Sequence, residues 1–215
     1  MMIPPARYSD EMSWPAQRVT SILLTGGASR RMGRDKASLP INGSTLARRT
    51  AALLERVTLT ALEVGPGTSG LWATREVPPS AGPLAAIAEG CRALRQHGHD
   101  GGALVVACDL PFVSEDLLRF LVAYDAPGSV VPIVRGRAQP LLARWGQHDL
   151  DATPGLVAHG ARSLRALLAR PGVTFLDAST WSHVADDTTF ADVDSPDDLR
   201  RLGLSVDGEA PTSTT

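Results

Sequence analysis

The chain has 215 residues, 43% of them hydrophobic, with 21 Lys+Arg against 23 Asp+Glu for a formal net charge of −2. That composition excludes disorder, collagen and disulfide scaffolds, and near-neutrality supplies no basic field for tracking a nucleic-acid backbone. No apolar stretch approaches the roughly 18 residues that cross a membrane, residues 1–17 are too polar and proline-broken for a signal peptide, and Cys91 and Cys108 match no metal or disulfide spacing, so a cytoplasmic protein is expected.

Residues 1–17 and 206–215 lack periodicity and read as loose tails around one domain over 18–205. Val19 to Leu24 is a buried-type strand that breaks at once into Thr25-Gly26-Gly27. Thr45 to Val57 has the apolar spacing of an amphipathic helix, with Ser44 as its N-cap. A strand at Leu59 to Val64, a helix at Leu84 to His97 and a fully buried strand at Ala103 to Cys108 follow, the last ending at Asp109. Ser114 to Tyr124 reads as a helix with acidic residues at its start.

Ser129 to Val134 and Pro140 to Trp145 then form a hairpin or a strand exchange around Arg135-Gly136-Arg137. Helices near Leu150 to His159 and Ala161 to Ala169 precede a strand at Val173 to Leu176. Ala191 to Asp194 is expected as a strand running into a helix capped by Ser195, with Pro196 at its first position. This alternation predicts a three-layer α/β/α sandwich with a Rossmann-like, mostly parallel sheet, whose ligand lies beyond the carboxyl ends of the strands.

The chemistry concentrates after the first strand. Glycines at 26, 27 and 33 let backbone N–H groups approach an anion, and Arg30, Arg31, Arg34 and Lys36 add cationic donors suited to a triphosphate. No Gly-Lys-Ser/Thr follows, so this is not a Walker loop. Every other basic residue is arginine, so position 36 is either a chance survivor of a strong arginine bias or one where a compact ammonium is needed that guanidinium cannot replace. Asp109, at the end of a buried strand, is placed either to hold Mg²⁺ at the crevice or to serve the turn before Pro111. The histidines lack ligand spacing, and no serine sits in a hydrolase elbow.

The run Leu24-Thr25-Gly26-Gly27-Ala28-Ser29-Arg30-Arg31-Met32-Gly33-Arg34-Asp35-Lys36-Ala37-Ser38-Leu39 resembles the signature of the nucleotidyltransferases, and Asp35 before Lys36 resembles its molybdenum cofactor guanylyltransferase branch. Gly82-Pro83-Leu84-Ala85, Ala107-Cys108-Asp109-Leu110-Pro111, Gly136-Arg137-Ala138-Gln139-Pro140-Leu141 and Asp192-Val193-Asp194-Ser195-Pro196 continue the resemblance in family order. It implies a fold of the nucleotide-diphospho-sugar transferase type and transfer of GMP from GTP to the phosphate of molybdenum-bearing molybdopterin with Mg²⁺. Leu24, Thr25, Gly26, Gly27, Gly33, Lys36, Glu76, Gly82, Pro83, Leu84 and Asp109 would then meet the nucleotide, with Lys36, Arg30 and Arg31 catalytic. Asp109 and Asp194 would take the metal, and Gln139 and Pro140 the acceptor. The partners implied are a molybdenum-insertion protein and molybdoenzyme maturation chaperones, with no nucleic acid and no membrane.

The chain departs from the pattern at several positions. Thr25 replaces the usual Ala, Ala86 a Gly, Gly65-Pro66 an Asn-bearing turn, Glu76 an Asp and Asp194 an Asn. Asp194 is read either as a metal ligand or as part of the helix cap. A cytidylyltransferase for the same pterin, a guanylyltransferase for another phosphorylated small molecule, and a non-catalytic nucleotide or pterin carrier stay open as alternatives.

Overall fold

A computed structural model describes residues 19–26, 36–41 and 43–207. The expected N-terminal tail, most of the expected C-terminal one, and Gly27, Arg30, Arg31 and Gly33 lie outside the described residues.

Strand β1 (Thr20–Leu24) is buried along its whole length, as its run of β-branched and aliphatic residues requires. It lies between two parallel neighbours, β4 (Ala61–Val64) and β6 (Ala103–Ala107). The sheet continues past β4 to parallel β5 (Trp72–Thr74). Past β6 it continues through β9 (Leu142–Trp145) to β7 (Val130–Val134) and β10 (Thr174–Leu176). β9 is antiparallel to both β6 and β7, so the hairpin and the strand exchange expected around Arg135-Gly136-Arg137 both occur. β7 first turns back on the short β8 (Arg137–Ala138), and the chain then re-enters the sheet as β9. The positive φ of Arg135 (49°) and Gly136 (76°) makes that two-residue turn possible.

Alternate residues of the central strands feed opposite cores. Leu23, Leu104 and Val106 pack with α1 (Leu46–Val57) and α3 (Glu115–Ala123) on one face. Ile22, Leu24 and Val105 pack with α2 (Pro83–Gln96) and residues 150–168 on the other. This is the predicted three-layer sandwich, in which a strand buried on both faces needs apolar residues at every position. A third cluster joins Leu39, Ile41 and Leu46 to Val193, Leu199 and Val206. The packed unit therefore extends past residue 205: Val206 is buried, and the Asp207 N–H donates to the Pro40 carbonyl at 2.9 Å.

Several local expectations are corrected. Thr45, not Ser44, caps α1, its hydroxyl accepting from the Arg48 N–H at 3.3 Å. Ser44 instead pairs with Ile41 in a small hairpin of β2 (Pro40–Ile41) and β3 (Ser44–Thr45). The helix expected over Leu150 to His159 is two, α4 (Gln147–Asp151) and α5 (Thr153–Ala158), because Pro154 belongs at a helix start and cannot continue one. The next, expected over Ala161 to Ala169, contracts to α6 (Arg165–Leu168). The chain adds α7 (Ala178–Trp181) after β10. Ala191 to Asp194 forms no strand: its Val193 N–H donates to the Asp109 carbonyl, just past β6, at 2.9 Å, while Val193 itself is buried in the third cluster. Ser195 does cap α8 (Pro196–Arg201), with Pro196 at its start. Among the described residues, no helix is long and apolar enough to cross a membrane.

Candidate active site at the carboxyl ends of the strands

A crevice of about 380 Å³ opens where β1, β4 and β6 end. β1 contributes Leu24, Thr25 and Gly26, β4 contributes Val64, and β6 leads into Cys108 and Asp109. The opposite wall is the start of α2 (Gly82, Pro83, Ala86) with Glu76 and Ser80 of the preceding loop, and Leu141 closes one end. Backbone bonds fix the floor: Thr25 N–H donates to Val64 at 3.2 Å, Cys108 N–H to Leu24 at 3.0 Å, and Ala107 N–H to Leu141 at 2.8 Å.

Lys36 enters the crevice from a single 3-10 turn, Lys36–Ser38, anchored by buried Ala37. Its Nζ lies 3.8 Å from Asp109 Oδ2 and donates a short hydrogen bond to Asp194 Oδ1. One ammonium thus joins the end of β6 to the segment before α8. Burial pushes the Asp109 carboxyl above its ordinary value; Lys36 pulls it back, and Asp192 and Asp194 add to the rise. Asp192 was not among the residues expected here, since its proximity depends on the path of the 191–194 segment.

Asp194 does not cap α8. Ser195 does so, its hydroxyl accepting from Asp198 N–H at 3.3 Å, while the Asp198 carboxylate accepts the Ser195 hydroxyl at 2.7 Å and the Asp194 N–H at 3.1 Å. The Asp194 carboxylate is left facing Lys36. The two aspartates offer hard oxygen donors around one cationic centre, a set that fits Mg²⁺. Among the described residues no group of three or more His, Cys, Asp or Glu side chains is gathered for a metal, so further ligands would come from a substrate or water.

The other expected residues separate by position. Gly82 and Pro83 line the crevice, but Leu84 is fully buried in the core beneath α2 and does not. Glu76 lines it while accepting the Ser80 N–H at 2.9 Å, which holds Ser80 at φ 62°. Gln139 and Pro140 precede Leu141 in the chain but do not line the crevice; the Gln139 N–H donates to the Pro132 carbonyl at 2.8 Å, and the Trp145 indole Nε1–H donates to the Pro140 carbonyl at 3.0 Å. Trp145 and Trp181 are core residues, in keeping with a packing role.

Sequence reasoning missed Glu63. It is fully buried in β4, its carboxylate taking the Thr25 hydroxyl at 2.5 Å and three backbone N–H groups of the following turn. A lone acid inside an apolar strand carries no motif; the clue was the hydroxyl at position 25, where the resembled family has Ala.

The MobA-like NTP transferase domain family matches residues 21–178. A Mycolicibacterium paratuberculosis protein named "Probable molybdenum cofactor guanylyltransferase" is 33% identical over 198 residues, covering 87% of this chain and 96% of its own length. A Mycobacterium bovis protein of the same name is 35% identical over 161 residues, 70% of this chain and 79% of its own. Among solved structures, molybdopterin-guanine dinucleotide biosynthesis protein A from Archaeoglobus fulgidus superposes with TM-score 0.67 at 22% identity, covering 86% of this chain and 96% of that one. The 2-C-methyl-D-erythritol 4-phosphate cytidylyltransferase of Thermus thermophilus gives 0.59 at 22% identity with the same coverages. The fold is thus that of the nucleotide-diphospho-sugar transferases, and the protein is a nucleotidyltransferase. Within that class, the chain belongs to the MobA-like NTP transferase family.

Proposed function

We propose that the protein transfers GMP from GTP to the phosphate of molybdopterin carrying molybdenum, releasing pyrophosphate. The observation that carries this reading is Lys36, held between Asp109 and Asp194 at the mouth of a crevice walled by Thr25, Gly26 and the start of α2. The relatives' name, "Probable molybdenum cofactor guanylyltransferase", supports this choice of donor and acceptor.

The acceptor phosphate oxygen is already an anion, so no general base is required. It attacks the α-phosphorus of GTP, the bond to the acceptor forms, and the bond to the β-phosphate bridging oxygen breaks. Catalysis then consists of in-line positioning and charge neutralisation. Lys36 stabilises the crowded phosphorus centre, and the Gly26-Gly27 backbone, Arg30 and Arg31 are assigned to the phosphates. Asp109 and Asp194 would hold Mg²⁺, which when bound neutralises charge on phosphate oxygens. Gln139 and Pro140, preceding Leu141 in the chain, are assigned to the acceptor, and a molybdenum-insertion protein and molybdoenzyme chaperones to supply and delivery.

The test is pyrophosphate release by the purified protein with Mg²⁺, molybdate-loaded molybdopterin and each of GTP, CTP, ATP and UTP. Release with GTP alone is expected. Release with CTP alone moves the protein to cytidylyl transfer, and nucleotide binding without release leaves a different phosphorylated acceptor or a carrier role.

A further inference from the structure

We propose that Glu63 is a positioning residue for the donor nucleotide: its buried carboxylate locks the turn after β4 onto the end of β1 and so sets the crevice wall against which the nucleoside is held. The proposal rests on the nucleotide-donor reading above.

A carboxylate with no solvent exposure is costly to bury unless its lone pairs are filled, and here they are. Oε1 accepts from the Thr25 hydroxyl at 2.5 Å, Gly67 N–H at 2.7 Å and Thr68 N–H at 3.0 Å. Oε2 accepts from Ser69 N–H at 2.8 Å and the Ser69 hydroxyl at 2.5 Å. All of these donors are neutral. An apolar residue would serve the strand interior at lower cost, so the observation to explain is why a charge stands there.

Its partners answer that. Four donors lie in one turn, residues 67–69, and the fifth is Thr25, which lines the crevice and immediately precedes Gly26. The turn also sits tightly on Thr25: a Cβ at Gly65 would fall 2.0 Å from Thr25 Oγ1. Thr25 and Gly65 are both departures from the resembled family, and the structure makes them one device, a hydroxyl that reaches a buried acid past a residue with no side chain. Lys36 and Asp109 come from other elements, so loosening this device should disturb the nucleoside wall more than the charges at the reacting phosphorus.

The variants are Glu63→Gln, which keeps shape but presents an amide N–H₂ to a cage of donors, Thr25→Val, and Thr25→Ser as the conservative rescue. GTP affinity is measured by calorimetry on each purified protein, alongside KM and kcat with molybdate-loaded molybdopterin and the thermal unfolding midpoint. Glu63→Gln and Thr25→Val should each weaken GTP binding and raise its KM about tenfold, the scale of one or two lost charge-assisted hydrogen bonds, with kcat within about threefold. Thr25→Ser should restore binding. Unchanged affinity and KM with a lowered unfolding midpoint would reduce Glu63 to a structural residue and overturn the proposal, as would a fall in kcat at constant KM. If Glu63→Gln does not fold, Thr25→Val decides alone. A wild type that binds GTP but transfers nothing to the pterin defeats the assigned reaction while the affinities still decide Glu63's role; a wild type that binds no nucleotide defeats both.

Discussion

Lys36 places a compact, strongly hydrated ammonium between one carboxylate at 3.8 Å and another in direct hydrogen-bond contact. A planar guanidinium needs more width and directs its donors in a fixed fork, so the twenty arginines the chain uses elsewhere are no substitute here. Lys36→Ala should lower kcat by about two orders of magnitude, the cost of losing one preorganised donor, with little change in unfolding midpoint. Lys36→Arg should also lose more than about tenfold, and near-normal turnover in that variant would refute the spatial reasoning. The lysine was legible because its signal is local: glycines, arginines and one lysine after one strand. Its link to Asp194 was not, since the two residues are 158 positions apart and the contact depends on how the last helix is capped. Leu84 shows the converse, a family position whose neighbours line the crevice while its own side chain turns into the core, as helical periodicity requires of the residue after Pro83.

Among the elements, α2 decides the width of the crevice, and two glycines set where it lies. Gly82 has φ 102°, and a Cβ there would meet the Arg162 carbonyl at 2.8 Å; Gly90 lets the helix settle on Ile22 and Val64, whose methyls would lie 3.0–3.1 Å from an added Cβ. Gly82→Ala should therefore shift the start of α2 away from residue 162, raising the KM for the nucleotide several-fold and costing about 1–3 kcal/mol of stability, measured by urea unfolding. Arg144 of β9 holds a second junction: it is buried, and its guanidinium donates to the carbonyls of Val122, Tyr124, Ala126 and Gly128 at 2.8–3.3 Å, closing the end of α3. Arg144→Leu strands those acceptors and should cost about 3 kcal/mol while leaving the KM of the folded fraction unchanged. Long periodic elements such as α1, α2, β1 and β6 were readable because burial imposes a period. The 191–194 segment was not, because its alternation of apolar and acidic residues arises from one buried valine between two aspartates, one of which pairs with Lys36, and this imitates a strand without any strand partner.

At the scale of the whole molecule, two cores hold the sheet from both faces while the open ends of the central strands carry two buried or half-buried acids with opposite effects. Burial alone would raise the Glu63 carboxyl, but bonds from Ser69, Thr25 and the backbone of Ser69 and Thr68 outweigh it and hold the group below its ordinary 4.5. Such a group adds stability above the unfolded value, and that stability is lost as pH falls through the lowered folded value. Asp109 is shifted the other way, chiefly by burial, so its ionised form is disfavoured in the folded state. Its penalty is present above the folded value and is relieved as pH falls toward 3.8. A charge kept where it weakens the fold is expected at a reaction centre. Asp109→Asn should consequently be inactive yet more stable than wild type at pH 7, by on the order of 1 kcal/mol, with the gain vanishing on acidification. Glu63→Gln should be less stable at pH 7 and converge on wild type as pH falls through the lowered folded value of Glu63, where the native carboxylate protonates. Unfolding midpoints of the three proteins across about pH 3 to 8 separate these slopes. A wild-type-like profile for Asp109→Asn would mean that Lys36, not burial, dominates the charge at the mouth of the crevice.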